Sequence, residues 1–152
     1  MKGLSLRRSG FVTLACCLLC GGVERMLAQS VNTHKQLEKL VEDNSATWKG
    51  VSKQIWGFAE LGYHEEKSSA LLQSQLKAAE FSVESGVADE PTGFIASCGQ
   101  GEPVIAILGE FDALPGLSQQ TVPERAPVTP GGSGHACGHN LLGSARRWQP
   151  WR

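Results

Sequence analysis

The sequence lacks an excess of charge of either sign. Its 14 Lys and Arg residues are balanced by 15 Asp and Glu residues, which leaves a formal net charge of −1 over 152 residues. No basic stripe interrupts this balance, whereas proteins that bind nucleic acid concentrate positive charge on one surface. The composition therefore argues against a nucleic-acid partner, and the length is typical of one globular domain.

A hydrophobic run long enough to span a membrane is also missing. The apolar run over residues 11–23 is shorter than the about 20 residues that a transmembrane helix needs. Lys2 and Arg7 precede this run, and the small residue Ala28 follows it. Because this order is typical of a secretory signal peptide, we predict one over residues 1–28 and export to the periplasm or out of the cell. A buried N-terminal helix is the alternative interpretation.

Cysteine is scarce in the rest of the chain: after residue 28 the sequence contains only Cys98 and Cys137. Two cysteines of an exported protein can form a disulfide, which is one interpretation of this pair. Cys137, however, lies between His135 and His139 in the glycine-framed stretch GSGHACGHNLLG. Imidazole and thiolate are the ligands that zinc and its neighbours favour, so the pattern indicates a metal site rather than a disulfide.

The spacing within this stretch suggests how the ligands are shared. In an extended segment, residues at i and i+2 project to the same side, so Cys137 and His139 can meet one metal ion or hold one ion each. His135 has the same parity and is a third candidate, or a group that orients a ligand. Glu110 and Asp112 also share a parity, and a carboxylate there can bridge metal ions or accept a hydrogen bond from a ligand histidine.

Hydrophobic periodicity predicts two helices followed by strands. Apolar residues recur at intervals of three and four over residues 31–59, which indicates an amphipathic helix, and a second helix is expected from Glu65 to Glu80. The stretches FSVESGV (81–87) and TGFIASCG (92–99) are typical of two strands of a hairpin. The apolar stretch Val104 to Leu108 predicts a strand that is buried on both faces.

The order of these elements indicates an α/β fold. The acidic residues Glu110 and Asp112 follow the predicted buried strand, at the kind of position where open α/β sheets bind ligands. A long loop over residues 117–133 then leads to the His-Cys-His stretch, and loops of this length are usually functional or disordered. Asn140 is the predicted cap of a third helix.

Three motifs carry a resemblance to a known family. WGFAELGYHEEKSS (56–69), GEFDALPGLSQ (109–119) and GHACGHNLLG (134–143) follow one another in this order. In combination they resemble the metal-dependent amidohydrolases of the M20 peptidase family, and the aminobenzoyl-glutamate hydrolase subgroup in particular. The N-acyl-amino-acid hydrolases are similar at a greater distance.

The resemblance implies a fold, a reaction and a site. The fold is a zinc-peptidase-like α/β sandwich catalytic domain with a smaller inserted lid domain, often in a dimer. The reaction is hydrolysis of the amide bond of a small N-acyl or N-aroyl amino acid with two divalent metal ions, zinc or manganese. The resemblance places metal ligands on Cys137 and His139 and a supporting catalytic role on Asp112. It assigns no role to Glu110 and no ligand role to His135.

The chain departs from the family pattern after the third motif. The glutamate base, the remaining ligands and the lid domain of the family would all follow Gly143, whereas this chain continues to RRWQPWR. We therefore expect residues 29–143 to be the N-terminal part of a truncated catalytic domain without its lid, and residues 144–152 to be an aberrant tail. The polypeptide alone is then expected to be inactive. A small exported metal-binding module without enzymatic activity is the alternative.

Overall fold

The computed structural model describes the backbone of residues 9–145 and the side chains of residues 32–144. The chain divides into two compact units, residues 1–45 and 46–152. In the first unit, Lys39 contacts Asp43 one helical turn away at 3.0 Å on an exposed surface. Across the part of the chain that the structure describes, no helix is both long and apolar enough to cross a bilayer.

The predicted signal peptide and aberrant tail lie largely outside the described side chains. Residues 1–8 and 146–152 are outside the description altogether, and only the helical backbone is described for residues 9–28. The signal peptide, the export that it implies and the interpretation of the tail therefore stay predictions.

The second unit contains the end of a long helix, a second helix, a hairpin and a short third helix. Strands β1 and β2 are antiparallel, with Ser82 opposite Ser97 and Ser85 opposite Phe94. The second helix and the hairpin were both predicted, and both predictions are confirmed. The elements in chain order are α1 (Ser9–Phe58), α2 (Glu66–Ala78), β1 (Ser82–Ser85), a 3-10 turn (Val87–Asp89), β2 (Phe94–Ser97) and α3 (His139–Ala145).

The first turn of α2 is capped from outside the helix. Glu65, at the cap position, makes no capping hydrogen bond with its side chain. The carboxylate of Glu60 instead accepts hydrogen bonds from the backbone N–H groups of Lys67 at 3.0 Å and Ser68 at 2.8 Å, and from the Ser68 hydroxyl at 2.7 Å. These N–H groups have no partner inside the helix, so Glu60 satisfies donors that would otherwise be left unpaired.

The cap predicts a pH-dependent contribution of Glu60 to stability. Burial raises the pKa of Glu60, but the hydrogen bonds from Lys67 and Ser68 outweigh it, so the pKa lies below its ordinary value of 4.5. We expect Glu60→Ala to cost about 1–2 kcal/mol near neutral pH in urea unfolding followed by circular dichroism. Because the pKa of Glu60 is lower in the folded chain than in the unfolded chain, its ionised carboxylate stabilises the fold at a pH above the unfolded pKa. The cost of the substitution should therefore diminish as the pH falls below about 4.5.

Glu66→Ala is the matched control for this prediction, because Glu66 lies in the same turn and is exposed. Its free energy of unfolding should change by less than about 0.5 kcal/mol. Equal costs for the two variants at neutral pH would contradict the capping role of Glu60.

A small apolar core joins the helices to the hairpin. Ile55 of α1 is fully buried, and Val51 and Leu72 are only 3% and 5% exposed to solvent. The rings of Phe94 and Phe111 stack at a centroid distance of 6.0 Å on the edge of this core. The core therefore links α1, α2, β2 and the segment that carries the acidic motif. Trp48 and Leu71 complete it.

The prediction of a buried strand from Val104 to Leu108 is wrong for this structure. The segment has no strand hydrogen bonding, and Val104 and Leu108 are 76% and 78% exposed. A strand buried on both faces needs a neighbouring strand to satisfy its backbone and helices to cover its side chains. Among the described residues the sheet has two strands, β1 and β2, and neither pairs with this segment. The architecture is thus helices with a small sheet, which is compatible with part of an α/β fold.

Candidate functional site

Three stretches of backbone converge at the acidic motif. Ala113 forms a parallel bridge with Leu61, and Leu114 forms an antiparallel bridge with Gly134. The N–H of Ala113 donates to the Glu60 carbonyl at 2.7 Å, and Ala113 is 2% exposed. Because these bonds hold the segment from both sides, its side chains have a defined position beside the GHACGHN stretch.

The GHACGHN stretch is attached to the end of α1 by side chains. The Ser133 hydroxyl donates to the carbonyl of Ala59, and the His135 Nε2 lies 3.0 Å from the carbonyl of Ile55. The Ile55 carbonyl also accepts the N–H of Ala59 at 3.1 Å, and a carbonyl oxygen has two lone pairs for two such donors. The end of α1 therefore positions the stretch, a role that the sequence alone did not indicate.

Asn140 makes the third attachment, and its predicted role as a helix cap is wrong. Helix α3 begins at His139, which puts Asn140 inside the first turn. Its side-chain amide is buried and donates to the Ser52 hydroxyl at 3.0 Å. Asn140 therefore anchors the start of α3 to α1 instead of capping α3.

His135 lies in the interior, close enough to His139 and Asp112 for their charges to act on it. It is 5% exposed and its ring lies 6.3 Å from that of Trp56. Burial lowers the pKa of His135, and the hydrogen bond with the Ile55 carbonyl opposes this only in part.

The sequence predicts an extended segment in which His135 projects to the same side as Cys137 and His139. This prediction is wrong, because the segment forms a turn in which the Gly138 N–H donates to the His135 carbonyl at 3.2 Å. His135 is consequently a buried anchor of the motif, and no metal-facing role is assigned to it.

His139 is the centre of the site because two carboxylates contact its ring. Its Nδ1 lies 2.7 Å from Oδ1 of Asp112, and its Nε2 lies 3.2 Å from Oε2 of Glu110. The exposed fractions of the side chains are 17% for His139, 30% for Asp112 and 57% for Glu110. Bonding of one ring nitrogen to a carboxylate fixes the tautomer and orientation of a histidine ligand. Carboxylates of the acidic motif thus contact a histidine of the GHACGHN stretch in the structure, and the ligand role of His139 stays a prediction.

Cys137 and Cys98 are both free and exposed, so the structure contains no disulfide between them. Cys137 lies at the turn just before α3, two residues from His139. In the described part of the chain, no group of three or more His, Cys, Asp or Glu side chains is assembled for a metal ion. The donor types at the site, one imidazole, one thiol and two carboxylates, nevertheless suit zinc and manganese. The residues present therefore fit part of a metal centre.

The loop before the motif is closed by its own hydrogen bonds. The Ser118 N–H donates to the Gly132 carbonyl at 2.9 Å, which joins the two ends of the loop. Inside it, the amide of Gln119 donates to the Glu124 carbonyl at 2.7 Å and accepts from the Ala126 N–H at 3.0 Å. The loop is thus a structured connection that delivers the motif to α1 and to the acidic segment.

Known proteins are similar to this chain over most of its length. One of the subunits of the p-aminobenzoyl-glutamate hydrolase of Escherichia coli (strain K12) is 45% identical over 113 residues, which are 74% of this chain and 24% of the relative. IAA-amino acid hydrolase ILR1-like 5 of Arabidopsis thaliana is 35% identical over 103 residues, 64% of this chain and 23% of the relative. The chain thus spans about a quarter of the length of these relatives. No family profile matches the chain.

Proposed function

We propose that this chain is part of an M20-type amidohydrolase, as the names of its relatives support, and that it supplies part of the metal centre of such an enzyme. The substrate is a small N-acyl or N-aroyl amino acid of the p-aminobenzoyl-glutamate type, in line with the name of the bacterial relative. The observation that carries the proposal is the bond between His139 Nδ1 and Asp112 at 2.7 Å. We also propose that the complete enzyme has a full catalytic domain with a lid domain and forms a dimer.

The residues of this chain prepare the site for two divalent ions, zinc or manganese. Asp112 accepts the hydrogen bond from Nδ1 of His139, so the lone pair on Nε2 remains for a metal ion. Cys137 is exposed in the turn before α3 and would supply a sulfur ligand. When bound, such ions supply polarisation of the amide carbonyl and activation of a water molecule. Asp112 thereby acts in catalysis by orienting a ligand.

Binding of Co²⁺ as a substitute ion tests the proposed ligands. We expect the full chain, freed of metal by a chelator, to develop a thiolate-to-cobalt absorption band, because a coordinated cysteine is deprotonated. Cys137→Ser should remove the band. Cys98→Ser is the matched control, since Cys98 is also free and exposed. Loss of the band in the Cys98 variant, or its survival in the Cys137 variant, would refute the assignment.

The same metal-free chain can be assayed for amide hydrolysis after zinc or manganese is added. The described residues assemble no group of three ligands, so we propose that this chain alone leaves p-aminobenzoyl-glutamate intact with zinc or manganese present. Steady hydrolysis that disappears in Cys137→Ser would show that the chain assembles a working site.

A further inference from the structure

We propose that the exposed segment Val104 to Leu108, with the sequence VIAIL, is the surface through which copies of this chain associate by intermolecular β-pairing. The side chains of Val104, Ile105 and Leu108 are 76%, 76% and 78% exposed, and Ile107 is 41% exposed. A contiguous apolar patch of this kind marks a site of interaction with another molecule, whereas single exposed apolar residues do not. The inference does not depend on the proposed metal centre.

The backbone of the segment offers hydrogen-bonding groups to a partner. In the described part of the chain, no backbone N–H or carbonyl of residues 105–108 takes part in a hydrogen bond. The N–H of Val104 donates only to the side chain of its neighbour Glu102, at 3.3 Å. A row of unpaired backbone groups is a template for pairing with a strand of another chain. The same segment therefore offers both an apolar surface and a backbone to pair with.

The composition of the segment favours a second copy of this chain as the partner. Val104, Ile105 and Ile107 are β-branched, and the five residues include neither proline nor a charged side chain. Short segments with high β-propensity and low charge pair with identical segments of other chains, because their side chains interdigitate. The formal net charge of −1 also leaves little repulsion between whole copies.

The segment is complementary to itself in the antiparallel direction. Pairing about Ala106 places Val104 of each copy opposite Leu108 of the other, and Ile105 opposite Ile107. The contact is then the same on both copies, as an interface with two-fold symmetry requires. Both faces of the resulting ladder remain apolar, so ladders can stack further, and we expect oligomers larger than dimers.

Acidic residues on both sides of the segment limit this association. Glu102 precedes it and Glu110 follows it, and the same antiparallel pairing places Glu102 of one copy opposite Glu110 of the other. Like charges directly opposite each other destabilise a strand pair, and flanking charges protect hydrophobic strands from aggregation. Association should therefore be stronger at high salt, which screens these charges.

Sedimentation velocity of the full chain between about 1 and 100 µM, concentrations at which exposed strands associate, tests the proposal. We expect the oligomeric fraction to rise with concentration. Ile105→Lys should raise the concentration needed for half association at least about tenfold, because it puts a charge within the paired strands. Val128→Lys is the matched control, since Val128 is a 64% exposed valine of the preceding motif's loop and the charge changes equally. Glu102→Gln should lower the concentration needed, because it removes a flanking charge.

Hydrogen exchange followed by mass spectrometry locates the contact within the oligomers. The amides of residues 104–108 should exchange more slowly in the oligomers than in the monomer, and far-UV circular dichroism verifies that every variant is folded. A chain that stays monomeric at every concentration would refute the proposal. Oligomers that persist in Ile105→Lys, or that leave these amides unprotected, would also refute it, because the contact then lies elsewhere. Flotation of a monomeric chain with phosphatidylcholine vesicles would assign the segment to a lipid surface instead.

Discussion

Gly134→Ala is expected to destabilise the second unit by about 3 kcal/mol or more. A Cβ at this position would overlap the carbonyl oxygen of Leu117 and would lie 2.7 Å from its carbonyl carbon. Both atoms belong to the backbone, so no side-chain rotation relieves the overlap. The chain must therefore separate at the point where the loop meets the GHACGHN stretch.

The hydrogen bonds around Gly134 explain why a shift of the backbone has a large cost in free energy. Leu114 and Gly134 exchange two bonds of 3.0 Å, and Ser118 is bonded to Gly132 at 2.9 Å. A shift that admits a methyl group breaks bonds whose groups are partly buried, and each unmade bond costs about 1–3 kcal/mol. Loss of these bonds also removes the alignment of Asp112 with the motif.

Urea unfolding followed by tryptophan fluorescence measures this effect. Gly50→Ala is the control, because Gly50 lies within α1 and an added Cβ there meets nothing within 4 Å. Alanine in a helix interior is better than glycine, so this control should gain about 0.5–1 kcal/mol. A Gly134 variant as stable as the unaltered chain would show that the close approach of Leu117 is not maintained in solution.

Asp112→Ala is expected to weaken the binding of Zn²⁺ or Mn²⁺ by about 10–100-fold. The carboxylate of Asp112 bonds to Nδ1 of His139 at 2.7 Å and fixes which ring nitrogen carries the proton. Without it, His139 can rotate and can expose the wrong nitrogen to the ion. The same experiment on Asp112→Asn should give a smaller loss, since the amide oxygen still accepts a hydrogen bond.

Chelator competition on the folded variants measures this loss, with Asp89→Asn as the control. Asp89 lies in the 3-10 turn between the strands, apart from the site. An Asp112→Ala variant with unaltered affinity would show that His139 is oriented by other contacts, and the assignment of Asp112 as its positioning residue would fail. An equal loss in Asp89→Asn would point to a general effect of charge.

Local elements were predictable because their signals lie within the elements themselves. The repeat of apolar residues that predicts α2 is confirmed by Leu72, which faces the core of the second unit. The hairpin was predictable because two short β-branched runs are separated by turn residues, and β1 and β2 pair as expected. The cap of α2 was not predictable, because Glu60 reaches it from outside the helix.

Residue types and local periodicity in the sequence specify the candidate ligands, the family that they resemble, and the helices and hairpin of this chain. Which of these residues meet depends on packing between segments, and only the folded chain shows it. That packing placed His139 between Asp112 and Glu110, turned His135 into the interior and left Val104 to Leu108 exposed. The reason is physical: periodicity and residue type act within a segment, whereas side-chain contacts and strand pairing need partners that are distant in sequence.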